Sequence, residues 1–206
     1  MSIGDDIKEA FEDVGTVYTV HRDSGDISGE YLDFEINAQV TKPFTREFFL
    51  QATLPYDTSA LTGDVVEFDT TGNNYLVMNK TPELFENSII THEAVLYKAN
   101  ISSGELLRPS GETWPTQTYH KESQWENIKS DCYALQTEAL YGHDLDTDEE
   151  LGLIGMQNHE LYIPHSYGTR VLDRFQASSG EFYRIETIKT RRFSNVDVCE
   201  LGEDRR

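Results

Sequence analysis

Asp64-Val-Val-Glu-Phe-Asp-Thr-Thr-Gly-Asn-Asn-Tyr-Leu-Val-Met78 spells a β-hairpin. Two β-favouring runs, Asp64–Phe68 and Tyr75–Met78, flank the turn Asp69–Asn73. A related phrase returns as Val171–Phe175, the turn Ala177–Gly180 and Phe182–Ile188. Working outward, five marks recur about 109 positions apart: Pro55, Asp64, Gly72, Tyr75 and Asn87, then Pro164, Asp173, Gly180, Tyr183 and Asn195. Proline to aspartate is nine steps in both copies, glycine to tyrosine three and tyrosine to asparagine twelve; aspartate to glycine is eight, then seven. Leu54 and Ile163 precede the prolines, and Val77 and Ile185 follow the tyrosines.

The marks have structural readings. The glycines suit a turn that needs positive φ, and the prolines suit the end of an edge strand. Each tyrosine can bury its ring beside the turn while its hydroxyl meets a backbone partner. Asp64 and Asp173 are placed to accept from turn or neighbouring N–H groups. The repeat therefore predicts two related units, residues 1–105 with an N-terminal helix and residues 106–206 with a preceding linker. Each is near the commonest domain size. The expected fold is mainly β with short helices, as two tandem small β-barrel or sandwich-like units.

The remaining sequence fits that frame. Ile7, Ala10, Phe11 and Val14 give a helical stripe over Asp5–Val14, with Gly15 placed to end it. Val17–Val20, Tyr31–Ile36, Glu47–Leu54, Ala94–Tyr97, Glu160–Ile163 and Val196–Cys199 read as strands, and Asp23–Gly29 as turn. Thr81-Pro82-Glu83 reads as the start of a short helix. The Gly- and Pro-bearing stretch Ile101–Lys121 reads as linker. Trp125, Ile128, Cys132, Leu135 and Ala139 have the spacing of a buried helix face, with a strand over Cys132–Leu140 as the alternative. Thr147 and Glu150 form a capping-box pattern before Leu151–Ile154. Glu203–Arg206 reads as a frayed end.

Of the 206 residues, 37 are acidic and 17 basic, a net charge of −20. Residues 1–100 hold 18 acids and 6 bases, leaving 19 and 11 for the rest, so both halves share the excess. Gripping nucleic acid or anionic lipid requires cations, which this composition disfavours. Cys132 and Cys199 are too few and too far apart for a disulfide framework or a four-ligand zinc site, which points to a reducing compartment. The polar, acidic start and the lack of a long apolar run predict a soluble chain without signal peptide or membrane span.

No pattern carries catalysis. In His143-Asp-Leu-Asp-Thr-Asp-Glu-Glu150 the aspartates at 144, 146 and 148 begin like a calcium loop. The sixth and twelfth positions are Glu149 and Gly155, where that loop needs glycine and a carboxylate. His159-Glu160 lacks the second histidine of a zinc protease, though His159 and His165 are close enough to meet across a bend. Neither a nucleophile elbow nor a phosphate-cradling loop occurs, and Cys199 reads as an inert buried thiol. The expectation is no enzyme, no cofactor and no metal.

The runs Leu172-Asp-Arg-Phe with Gly180-Glu-Phe-Tyr-Arg-Ile185, and Gly63-Asp-Val-Val with Gly72-Asn-Asn-Tyr-Leu-Val77, resemble the central hairpin of tailed-bacteriophage head–tail joining proteins. These are the stopper or head-completion proteins below the portal, with their relatives in neck and tail. The chain departs from the family pattern in its length and duplication, since members often hold one barrel. The resemblance implies a virion neck protein, assembled in the host cytoplasm as a ring of six or twelve subunits between portal or adaptor and tail. Duplex DNA would pass through the ring without specific binding, and an acidic lumen would repel it. Loops bearing Asp57 and Thr62, and His143, Asp144, Asp146 and Asp148, are the expected contacts with adjacent rings. Alternatives in the same particle are a tail terminator, tail-tube or capsid decoration protein. Outside it, they are an acidic binding module that mimics DNA, or a hydrolase built on converging carboxylates.

Overall fold

A computed structural model of the chain describes residues 3–22, 24–35, 49–113, 122–138, 159–177 and 179–204. It is mainly β and divides into two compact units, Met1–Ala99 with Phe193–Val196, and Asn100–Arg192 with Asp197–Arg206. In the first repeat, α1 (Ile3–Val14) precedes β1 (Thr16–His21), β2 (Ile27–Glu35), β3 (Phe49–Pro55), β4 (Val65–Phe68), β5 (Asn73–Phe85) and β6 (Ser88–Lys98). The second holds β7 (Ile101–Thr113), β8 (Glu122–Glu138), β9 (His159–Pro164), a 3-10 turn at His165–Tyr167, β10 (Arg174–Gln176), β11 (Phe182–Phe193) and β12 (Val196–Glu203).

Both sheets close into barrels, in the order β1-β2-β3-β6-β5-β4 and β7-β8-β9-β12-β11-β10. The second order is the first with every strand number raised by six. The closing seams also match: β1 pairs antiparallel with β4, and β7 with β10. Tyr75 faces Val66 in register and Tyr183 faces Phe175, so the two tyrosines hold corresponding places. Closure leaves no full-length edge, which is how a small sheet without a second layer hides its backbone groups.

Each barrel is filled by alternate residues. Tyr18 and Val20 of β1, Leu50, Ala52 and Leu54 of β3, and Val77 and Leu96 of β5 and β6 fill the first. Leu106, Leu161, Ile163, Phe175, Ile185 and Cys199 fill the second. Closely packed interiors of this kind supply most of the stabilisation, at about 25 cal/mol per Å² of apolar surface removed from water.

Several sequence expectations are corrected. Thr81-Pro82-Glu83 starts no helix, because β5 runs through to Phe85 with Pro82 opposite His92. The register of β4 on β5 ends at Leu76, so Pro82 has β6 on one side only and its missing N–H interrupts no second ladder. Ile101–Thr113 is strand β7, and the units divide between Ala99 and Asn100, so residues 101–105 belong to the second barrel. Trp125–Glu138 is strand, not helix. Register shifts against β7 between Gly104 and Leu106 and between Leu106 and Leu107 each place an extra residue on β8, and Asp131 has φ 53°. Each bulge reverses which face the following residues occupy, so a bulged strand imitates three- and four-residue spacing. β2 begins at Ile27, inside the expected turn. Glu203 ends β12, and Arg174 Nε donates to Asp204 at 2.7 Å, so these two residues are not frayed. The capping-box pattern Thr147–Glu150 and the segment Leu151–Ile154 lie outside the described residues.

Candidate functional site

Among the repeated marks, the two aspartates each anchor a corner of their own barrel. Asp64 and Asp173 stand immediately before β4 and β10, at the strand that closes the sheet. Arg22, just past β1, clamps the Asp64 carboxylate from Nε at 3.1 and 3.0 Å and again through Nη2. Arg108 of β7 clamps Asp173 from Nε at 2.9 Å and Nη2 at 2.8 Å. Each arginine also donates to a corner carbonyl, Ser59 O at 2.7 Å and Gly168 O at 2.8 Å. Each carboxylate accepts from the backbone N–H three residues earlier, Leu61 and Arg170, both at 2.8 Å. Charge-assisted forks of this kind fix geometry as well as adding energy. The fork to Asp64 raises the Arg22 pKa, and that to Asp173 raises Arg108.

The two arginines were missed from the sequence because they lie 86 positions apart, outside the 109-residue repeat. The available signal was short: Val20-His-Arg22 and Leu106-Leu-Arg108, an inward apolar residue followed two steps later by arginine. Both apolar residues are fully buried.

The other marks lie at turns and strand ends elsewhere in the fold. Gly72 and Gly180 have φ 65° and 85°, and Asn87 and Asn195 have φ 65° and 60° in the β5–β6 and β11–β12 turns. Pro55 and Pro164 are the last residues of β3 and β9, which are interior strands and not edges. Tyr75 packs its ring 4.5 Å from Phe68, and burial raises its pKa. The Tyr183 hydroxyl donates to the Glu181 carboxylate at 2.6 Å, not to backbone as expected; burial and then that carboxylate raise its pKa.

The first barrel also carries a polar cluster. Glu30 accepts from Tyr18 Oη at 2.6 Å, Thr58 Oγ1 at 2.9 Å, Ser59 N at 3.1 Å and Ser59 Oγ. Burial alone would raise the Glu30 pKa, but the hydrogen bonds from Ser59, Tyr18 and Thr58 outweigh it and hold it below the usual range. Burial foremost, and then Glu30, raise that of Tyr18. Beside them Lys80 Nζ donates to Ala60 O at 2.8 Å, with its pKa lowered by burial. A cleft of about 160 Å³, lined by Lys8, Glu12, Gly29, Glu30, Tyr31, Pro55, Asp57 and Thr58, opens over this cluster. It is smaller than typical ligand pockets, and its central carboxylate is committed to internal donors.

His159 and His165 do not meet. The His159 ring lies 5.3 Å from that of Tyr183, and His165 Nδ1 is 3.0 Å from Asp197 Oδ1. Among the described residues no group of three His, Cys, Asp or Glu side chains is arranged to hold a metal ion. Of the expected ring contacts, Asp57 is bonded by Lys8 Nζ at 2.5 Å, while His143, Asp144, Asp146 and Asp148 lie outside the described residues. Cys132 and Cys199 are both fully buried in the second barrel, and burial pushes each thiol up to about 12. No described helix is long and apolar enough to cross a membrane.

Searches against protein-family models, curated proteins and solved structures find no match to this chain.

Proposed function

We propose that the chain is a structural component of a tailed-phage neck: a ring-forming head–tail connector or stopper that joins portal to tail and lines part of the DNA channel. The observation that carries this reading is the doubled barrel, with one strand order and one Arg–Asp corner used twice. The chemistry-bearing side chains found here are spent on holding the barrels closed, which suits a protein whose outer surfaces meet other subunits. The resemblance of the two hairpins to head–tail joining proteins points the same way, and the net charge of −20 suits a channel that DNA slides through without adhering. On this reading, its partners are its own copies in a ring of six or twelve, the portal or adaptor, and the tail.

The test is to purify tailed particles made by cells that express the chain with an epitope tag and locate the tag by electron microscopy. Label at the neck is the expected result. Label at the tail tip, tail tube or capsid surface would transfer the chain to the terminator, tube or decoration roles. Absence from particles, with tight binding to a basic nucleic-acid enzyme that DNA reverses, would replace the neck by DNA mimicry.

A further inference from the structure

We infer that the tip of the β5–β6 hairpin of one copy seats on the Val171–Leu172 corner of a second copy, linking copies head to tail. This rests on the assembly reading above and names the surface it would use. The repeat supplies the argument. The first compact unit includes Phe193–Val196, the Phe-x-Asn tip of the β11–β12 hairpin. Within that unit Asn195 Nδ2 donates to Thr62 Oγ1 at 3.3 Å, and the Phe193 ring lies edge-on to Tyr97 at 6.3 Å. A Cβ on Gly63 would stand 2.3 Å from Asn195 O, so the tip seats closely on the Thr62–Gly63 corner.

Both halves of this arrangement have a counterpart elsewhere in the repeat. The tip corresponds to Phe85-Glu-Asn87, with the same left-handed asparagine. The corner corresponds to Val171–Leu172: Leu172 N donates to Ile185 O as Gly63 N donates to Val77 O, both at 2.8 Å, and both residues have positive φ, 74° and 89°. These counterparts are exposed. Leu84, Phe85 and Ile89 are 63%, 46% and 44% accessible, with Leu84 directly opposite Ile89; Val171 and Leu172 are 51% and 53% accessible. The seated corner, Thr62–Gly63, is polar and small, whereas the exposed corner, Val171–Leu172, is apolar, as are Leu84, Phe85 and Ile89 at the exposed tip. Glu86 at the tip and Arg170 beside the corner, both exposed, add opposite charges. Two apolar surfaces that differ from one another pair between copies head to tail, the heterologous contact that closes rings.

The experiment uses the full chain. Phe85→Cys and Val171→Cys variants are made separately, mixed and mildly oxidised, with Asp69→Cys as the exposed control and the native thiols buried. The mixed disulfide should form at least about tenfold faster than either variant forms one with the control, the ratio that ~1.4 kcal/mol of preferential association gives. Equal rates would overturn the contact. In sedimentation, Phe85→Asp and Val171→Asp should each abolish self-association, and their mixture should give a one-to-one dimer and nothing larger. A mixture that stays monomeric would overturn it too. A chain that cross-links as expected yet is missing from purified particles keeps this contact and loses the neck. A chain found in the neck whose cysteines react at the control rate does the reverse.

Discussion

Asp173 is 1% accessible, and among the described residues its carboxylate accepts from Arg108 and the Arg170 N–H, so its charge depends on them. Removing one partner of a buried pair leaves the other uncompensated, and Asp173→Ala should cost about 3 kcal/mol in urea unfolding. The Asp64 side chain is 14% accessible and its arginine 23%, so water replaces part of the loss; Asp64→Ala should cost about 1–2 kcal/mol. Glu30 gives a pH signature of its own. Its folded pKa lies below the unfolded value, so its contribution is complete above the unfolded pKa and lost as pH falls through the folded one. Thermal midpoints between pH 6 and pH 3 should fall more steeply for the wild type than for Glu30→Gln. Parallel curves would remove Glu30 from the account.

At the scale of elements, the β5–β6 hairpin is the part least explained by its own barrel. From Asn79 onward β5 pairs with β6, and past Thr91, where β6 leaves β3, the tip is a two-stranded ribbon, a form marginal in water. Because Leu84 and Phe85 are exposed, changing either to Asp should alter folding stability by no more than about 0.5 kcal/mol while removing self-association. Asn87→Ala, at φ 65°, should cost about 1 kcal/mol in the same urea measurement, because alanine keeps the Cβ but loses the short polar side chain by which asparagine tolerates the left-handed region. The strand character of Thr81–Phe85 was illegible in sequence because a capping threonine and a proline are equally at home at a helix start and on a one-sided ribbon. What decides is which neighbours the ribbon has.

For the whole molecule, both thiols sit in the second barrel, so their exposure reports that barrel alone. Neither should react with a thiol reagent at pH 8 in the native state. In rising urea Asp173→Ala should lower the concentration at which they become reactive, and Asp64→Ala should shift it less. Copies that each carry −20 repel one another, so head-to-tail association should strengthen between low and moderate salt as screening sets in. Weakening over that range would mean that ion pairs, not apolar contacts, hold the copies together.

The doubling, the hairpins and the glycine turns were legible in the chain alone, because these depend on short-range spacing and on residue types that act locally. Glycine or asparagine at a turn, and apolar residues every second position, carry their meaning within a few residues. It took the folded chain to establish that β8 is a strand, that the asparagine-tipped hairpin of the first repeat is exposed, and that Arg22 and Arg108 are the partners of the repeated aspartates. Those three depend on registers between strands distant in sequence. A bulge in one strand is defined by its neighbour, and the fork from Arg108 reaches a carboxylate 65 residues away.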